Sequence, residues 1–167
     1  MSRGFVKEDD QEEIPIVPQR AFLPDGTPNF VTPTGMNQLL AEKQVLADEK
    51  NNLNNASENE KRIALNLINA RLQLLNNRIA DSRIINLTGQ PQNEIRFGAT
   101  VTLRSEESQS VQTFQITGVD EADISKGKIS FISPVAKVLT NKKVGDKVVI
   151  KQAMKDTVFE IISISYI

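Results

Sequence analysis

The sequence contains no cysteine, no histidine and no tryptophan, and it has a single tyrosine. These absences exclude thiol catalysis, disulfide bonds, Ser-His-Asp triads and metal sites built from histidine or cysteine. Carboxylate, lysine, hydroxyl and tyrosine chemistry remain, as does Mg²⁺ held by carboxylates. Tyr166 stands one residue before the last, where we expect no catalytic role.

The chain also lacks a long apolar run. No stretch approaches the roughly 18 apolar residues that a membrane-spanning helix needs. The first ten residues lack the apolar centre and the small-residue cleavage site of a signal peptide. We therefore expect a cytoplasmic protein with no membrane partner. Its 167 residues, 39% of them hydrophobic and 25% charged, suffice for one or two compact domains.

Charge is unevenly distributed along the chain, although the net charge is only −1. Residues 1–31 carry three basic and six acidic side chains. Residues 105–124 carry five acidic side chains and no basic one, whereas residues 126–155 carry eight lysines and one aspartate. Two interpretations stay open: solvated surfaces of opposite sign, or electrostatic steering onto a charged partner.

Residues 1–31 are acidic, rich in proline and without hydrophobic periodicity, which is typical of an extended arm. Residues 32–87 instead predict an antiparallel helical hairpin. Thr32 and Pro33 suit the N-cap and the first position of a helix, and Ser57 opens a capping box for a second one. Apolar residues at helical spacing form a stripe on each helix. They are Met36, Leu39, Leu46 and Leu53, broadened by Leu40 and Val45, and then Leu65, Ile68, Leu72, Leu75 and Ile79.

Residues 88–167 follow a Gly- and Pro-containing linker and predict a β-rich domain, because alternation replaces the helical period. Ser133 and Pro134 predict the start of a short helix that ends near Leu139. A slip in apolar phase at Ile162 predicts a bulge or a strand buried on both faces. Five strands rich in β-branched residues are predicted at residues 100–103, 111–116, 129–132, 148–150 and 158–164. The expected fold class is therefore α+β.

Three groups of polar residues could carry chemistry. Glu58 and Glu60, at the turn of the hairpin, could hold Mg²⁺, but the capping pattern explains both without a function. The acidic run at residues 120–123 lacks the ligand number and spacing of a calcium loop and is interpreted as a solvated turn. The lysines at residues 142–147 could contact phosphate, although no aromatic residues are interleaved for base stacking.

Several ordered segments resemble the GreA/GreB family of bacterial transcript cleavage and elongation factors, and together they span most of residues 31–167. Val-Thr-Pro-Thr-Gly at residues 31–35 is similar to the family's Val-Thr-x-x-Gly before the first hairpin helix. Ile-Arg-Phe-Gly-Ala-Thr-Val at residues 95–101 resembles its Val-x-Phe-Gly-Ala-x-Val strand. Further similar segments are Gly-Val-Asp-Glu-Ala-Asp at 118–123, Ile-Ser-Phe-Ile-Ser-Pro-Val-Ala-Lys at 129–137 and Val-Gly-Asp at 144–146.

The resemblance implies a coiled-coil hairpin followed by a small antiparallel β-sheet domain of FKBP-like fold with a short helix. That domain would dock at the rim of the RNA polymerase secondary channel, with the hairpin inserted toward the active centre. The implied partner is RNA polymerase, with indirect contact to the transcribing DNA/RNA complex and no small-molecule substrate. The docking residues carried over by matching motif are Asp120, Glu121, Ser133, Pro134, Ala136 and Lys137.

The sequence departs from the family at the hairpin tip. Cleavage-competent members carry Asp-x-x-Glu-Asn there, and its carboxylates help to hold the second Mg²⁺ of the polymerase. Here the Glu-Asn pair is Glu58-Asn59, and the residue three before Glu58 is Asn55, a neutral side chain and a poorer Mg²⁺ ligand. The helices are also shorter than in full-length members. With Asn55, Glu58 and Glu60 as tip candidates, we expect a Gre-like factor with weak or no transcript cleavage, no catalytic residue, no bound metal and no cofactor.

Three other hypotheses stay open. The first is a short-hairpin channel-binding regulator resembling the regulator of nucleoside diphosphate kinase. The second is a generic coiled-coil adaptor. The third is a peptidyl-prolyl isomerase, suggested by the FKBP-like domain alone. This last activity needs an aromatic-lined pocket, and residues 88–167 hold only four phenylalanines and one tyrosine.

Overall fold

The computed structural model describes residues 14–55 and 57–167, so residues 1–13 of the predicted arm lie outside the described part. The α+β class predicted from the sequence is confirmed. The described helices and strands, in chain order, are β1 (Asn29–Val31), α1 (Pro33–Asn51), α2 (Glu58–Ala80), β2 (Ser82–Ile84), β3 (Thr100–Ser105), β4 (Val111–Thr117), β5 (Lys128–Ser130), α3 (Pro134–Leu139), β6 (Lys147–Lys151) and β7 (Asp156–Ser165).

Both hairpin helices begin at the predicted caps. The Thr32 hydroxyl oxygen accepts a hydrogen bond from the Gly35 N–H at 2.9 Å, and Pro33 opens α1. A short 3₁₀ turn at Leu53–Asn55 follows α1. At the start of α2 the Glu60 N–H donates to the Ser57 hydroxyl at 3.3 Å, and the Ser57 N–H donates to the Glu60 carboxylate at 2.9 Å. This is the predicted capping box.

α1 and α2 pack against each other through the predicted stripes. The expectation that Leu40 and Val45 broaden the first stripe is wrong, because they are 47% and 55% exposed. Both lie off the seven-residue register, and a two-helix seam buries only one narrow line of side chains on each partner. The buried members are Leu39, Leu46, Ile68 and Leu75, and Met36, Leu53, Leu72 and Ile79 pack around them.

A pair of short parallel strands closes the base of the hairpin. β1 enters α1 and β2 leaves α2, and their register pairs Asn29 with Ser82 and Val31 with Ile84. The side chain of Asn29 is only 2% exposed, and its amide donates to the Arg78 carbonyl oxygen at 3.2 Å. The two ends of the hairpin are thereby joined by backbone hydrogen bonds.

The second sheet has five strands in the order β5-β4-β3-β7-β6. β3 is antiparallel to both β4 and β7, and β6 is antiparallel to β7. The predicted antiparallel arrangement is wrong for β5, which runs parallel to β4. Residues 118–127 bring the chain back to the level of Gln115 before β5 begins, instead of reversing it in a tight turn.

The predicted bulge in β7 is confirmed. Thr102 pairs with Ser163 while Leu103 pairs with Ile161, so Ile162 is the extra residue on β7. Below the sheet, α3 contributes Ala136 and Leu139 to the apolar core, and both are fully buried. α3 begins at the predicted Ser133 cap.

Tyr166 ties the end of β7 to the loop before β3. Its hydroxyl donates to the Glu94 carbonyl oxygen at 2.6 Å and accepts from the Arg96 N–H at 2.9 Å. Burial raises the pKa of the Tyr166 hydroxyl above its ordinary value. The phenol is therefore held in its protonated, donating form.

Replacing Tyr166 with phenylalanine should lower the free energy of unfolding by about 1 kcal/mol, because two backbone groups lose a partner. Since the folded-state pKa of the phenol is raised, its contribution is present below the unfolded-state pKa of about 10 and lost as pH rises through the folded-state pKa. Urea unfolding measured from about pH 9 to about pH 11 should thus show a smaller loss for the variant than for the unmodified chain. Equal alkaline losses would contradict this assignment.

Candidate functional site

The predicted tip residues have different surroundings in the structure. The Glu58 side chain is 95% exposed, and its carboxylate lies 3.4 Å from the Lys61 ammonium. The carboxylate of Glu60 is used in the α2 cap, and the hydrogen bond from the Ser57 N–H lowers its pKa. The side chain of Asn55 lies outside the described part of the chain. Both glutamate side chains are exposed, and Glu58 is the tip carboxylate that takes no part in the cap.

The residues that match the docking motif near α3 fall into two groups. Pro134 and Lys137 are exposed, whereas Ala136 is fully buried against the sheet. The Ser133 hydroxyl accepts a hydrogen bond from the Ala136 N–H at 3.3 Å and so caps the helix. Of these four residues, Pro134 and Lys137 are therefore the ones exposed to a partner, while Ser133 and Ala136 hold them in place.

Glu121 points into the junction between the hairpin and the β-domain, which we define as residues 88–167. Its side chain is 3% exposed, accepts a hydrogen bond from the Thr32 hydroxyl at 2.5 Å and lies 3.0 Å from the Lys128 ammonium. The carboxylate sits at the first turn of α1, where the helix dipole favours negative charge. A Cβ at Gly35 would lie 2.7 Å from the Glu121 carboxylate oxygen, so glycine leaves room for it.

Asp120 faces the same junction from the adjacent position. Its Oδ1 accepts from Nε and Nη2 of Arg20 at 3.2 and 3.0 Å, and its Oδ2 lies 3.3 Å from Nε of Arg78 on α2. The guanidinium of Arg20 also makes two hydrogen bonds to Glu42 on α1, at 2.9 and 3.1 Å. These bonds to Glu42 raise the pKa of Arg20 above its ordinary value. Asp120 is therefore bound to the arm and the hairpin together.

The interpretation of residues 120–123 as a solvated turn is wrong for Asp120 and Glu121, whose side chains are 11% and 3% exposed. Asp123 caps a 3₁₀ turn instead, accepting from the Ser125 hydroxyl at 2.6 Å, and this bond lowers its pKa. The three carboxylates point to three different sets of partners. In the described ranges, no group of three potential acidic metal ligands comes together.

An apolar contact completes the junction. Phe30 in β1 packs against Phe97 and Phe131 of the β-domain, with ring centroids 5.8 and 5.5 Å apart. Phe97 and Phe131 meet edge to face at 5.6 Å. Gly118 lies beside them, where a Cβ would approach the Phe30 carbonyl oxygen to 2.6 Å. The hairpin and the β-domain thus share a packed interface.

The acidic and basic blocks of the second half meet across strands. Lys147 forms an ion pair with Glu106, which raises the pKa of the lysine, and the Lys155 ammonium lies 2.5 Å from the Glu107 carboxylate. Lys142 and Lys143 are exposed. The two blocks therefore partly neutralise each other on the surface. No helix in the described residues is long and apolar enough to cross a membrane.

Sequence reasoning missed Arg20, Glu42, Arg78 and Lys128. One signal pointed to Arg20: it is the only basic residue between positions 8 and 42. Nothing local indicated that it would reach Asp120, which lies 100 residues further along the chain.

Fold and junction together define a two-part α+β protein in which a helical hairpin is fixed to a β-domain.

Residues 90–166 match the family model described as "Transcription elongation factor, GreA/GreB, C-term". Transcription elongation factor GreA of Thioalkalivibrio sulfidiphilus is 35% identical over 153 residues, covering 82% of this chain and 97% of that protein. GreA of Maricaulis maris is 37% identical over 99 residues, covering 59% of this chain and 63% of that protein.

A structural similarity is found to GreA factor homolog 1 of Thermus thermophilus, with a TM-score of 0.41 and 20% identity over 83% of this chain and 99% of that one. On the sequence comparisons, the chain belongs to the GreA/GreB family of transcription elongation factors. The recognition made from the ordered segments is thereby confirmed.

Proposed function

We propose that this chain binds RNA polymerase at the rim of the secondary channel and modulates elongation from there, with weak or no stimulation of transcript cleavage and no catalytic activity of its own. The β-domain docks through the exposed side of α3, and the hairpin points toward the active centre. Such a factor works in the cytoplasm, beside the transcribing complex.

The observation that carries the proposal is family membership combined with the altered hairpin tip. The family model covers the β-domain. At the tip, Glu58 offers a solvent-facing carboxylate and Glu60 is engaged in the α2 cap. The resemblance to the family motif matches Asn55 to its aspartate. Mg²⁺ is usually held by one or two carboxylates together with further oxygen ligands, and this tip has one carboxylate outside the cap where the family motif has two acids. The short hairpin also supports weak or absent cleavage, because the 19 residues of α1 span about 28 Å and this limits how far the tip reaches toward the active centre.

A cleavage assay on backtracked polymerase complexes tests the chemical part of this proposal. We expect the unmodified chain to stimulate cleavage weakly or not at all, and Glu58→Ala to change that level little. Glu49→Ala, a change at an exposed glutamate on α1, is the matched control. Strong stimulation that Glu58→Ala abolishes and Glu49→Ala preserves would overturn this part.

Binding to purified core polymerase tests the docking part. Lys137→Glu places a negative charge on an exposed α3 side chain without touching the core, so it should weaken binding. Lys151→Glu, at an exposed position on β6, should have a smaller effect. Failure of the unmodified chain to bind would reject the proposed function.

A further inference from the structure

The arm segment before β1 crosses the junction between the hairpin and the β-domain. We call residues 17–28 the strap. Arg20 reaches Glu42 on α1 and Asp120 on the β-domain, and the Ala21 carbonyl oxygen accepts a hydrogen bond from Nη2 of Arg78 on α2 at 2.5 Å. The strap is therefore in contact with both helices and with the β-domain.

The strap makes buried polar contacts and only limited apolar packing. Phe22 is 76% exposed, and Ile14 and Ile16, just before the strap, are at least 90% exposed. A cavity of about 400 Å³ remains between the strap and α2. By contrast, the side chains of Arg20, Arg78 and Asp120 are only 18%, 13% and 11% exposed. Val17 and Leu23 of the strap are half-buried, so some apolar packing remains. The buried polar contact of the strap is the Arg20 guanidinium, whose planar fork suits two carboxylates.

The position of Glu42 along α1 determines how strongly its bonds to the Arg20 guanidinium can restrain the direction of the hairpin. The other junction contacts lie at the base of the hairpin and would act as a pivot. Phe30 in β1 packs on Phe97 and Phe131, Thr32 caps α1 and bonds to Glu121, and Arg78 near the end of α2 pairs with Asp120. Glu42 lies ten residues beyond Thr32, which is about 15 Å along the helix. A tie at that distance from a pivot resists rotation far better than a tie at the pivot itself.

We propose that Arg20 is a positioning residue: by bridging Glu42 to Asp120 it fixes the direction in which the hairpin projects from the β-domain. Without the bridge, the hairpin is held only by the contacts at its base, those of Phe30, Thr32 and Arg78, and it samples a wider range of directions about them. The strap thus gives the arm a role separate from the docking surface at α3. This positioning role does not depend on the identity of the partner.

Distance measurement between spin labels tests this directly, and the cysteine-free sequence allows labels at chosen sites. Asn66→Cys on α2 and Gln112→Cys on β4 are both exposed. In otherwise unmodified protein we expect a narrow distance distribution, and in Arg20→Ala a distribution roughly twofold wider. Arg20→Lys, which keeps the charge and loses the fork, should widen it by an intermediate amount.

Arg104→Ala is the matched control, since it removes an arginine–glutamate pair that lies within the sheet, away from the junction. An unchanged distribution in Arg20→Ala, or equal widening in Arg104→Ala, would overturn the proposal. Should Arg20→Ala fail to fold, Glu42→Ala removes only the α1 side of the bridge. A distribution that stays narrow in Glu42→Ala would then reject the positioning role.

A functional consequence rests on the proposed function. If the chain acts on polymerase, the Arg20→Ala protein should have a smaller effect on elongation, because fewer molecules present the hairpin in the required direction. The distance measurement uses no polymerase. A failure of the proposed function therefore leaves the result on Arg20 intact, and the reverse also holds.

Discussion

Replacing Glu121 with alanine should lower the free energy of unfolding by about 3 kcal/mol. The carboxylate is 3% exposed and serves both the Thr32 hydroxyl and the Lys128 ammonium. Its removal leaves a half-buried lysine without its anion and takes a negative charge from the first turn of α1. Urea unfolding followed by circular dichroism measures the loss.

Glu121→Gln and Asp123→Ala are the matched comparisons for this prediction. The glutamine amide keeps an oxygen for Thr32 but loses the charge that faces Lys128. Glu121→Gln should therefore lower the free energy of unfolding less than Glu121→Ala does. Asp123 lies two positions after Glu121 and caps only a short exposed turn, so its replacement should lower the free energy of unfolding less than either change at Glu121. If Glu121→Ala costs no more than Asp123→Ala, the carboxylate does not hold the junction.

The second large effect is expected for Leu75→Ala, which should lower the free energy of unfolding by about 2–5 kcal/mol. Leu75 is fully buried in the hairpin core together with Leu39, Leu46 and Ile68. Each helix alone is marginal in water, and the pairing of the stripes stabilises both. A cavity in that seam should therefore lower the stability of both helices together.

Leu40→Ala provides the control, because Leu40 lies on the adjacent helix, is 47% exposed and is off the seam. Its replacement should change the free energy of unfolding by less than about 1 kcal/mol. Similar losses at the two positions would mean that the hairpin is stabilised by general apolar burial and not by a defined seam.

Local patterns predicted most of the elements, although the short strands β1 and β2 fall in segments assigned to the arm and to the hairpin. Cap chemistry at Thr32, Ser57 and Ser133 placed three helix starts correctly, since a cap depends on residues within one turn. The phase slip at Ile162 predicted the bulge for the same reason. Periodicity also identified the buried seam, although it could not show how narrow the seam is, and Leu40 and Val45 were assigned to it wrongly.

Long-range contacts were not predictable in this way. The parallel pairing of β5 with β4 depends on the path of a loop, and strand composition does not encode direction. The inward orientation of Asp120 and Glu121 depends on partners 100 and 89 residues earlier in the chain. The motif that contains them identified the family but not their contacts. Their role in partner binding stays a prediction, as does that of Pro134 and Lys137.

The parallel pairing of β1 with β2 separates the reach of the hairpin from the rest of the molecule. Adjacent strands lie about 4.8 Å apart, so the chain enters and leaves the hairpin at nearly the same place. Adding or removing seven residues in both helices would change the reach by about 10 Å while leaving both strands in register. The length of the hairpin can thus vary from one protein to another without a change in the β1–β2 pairing. A short hairpin needs no compensating change in the domain that carries it.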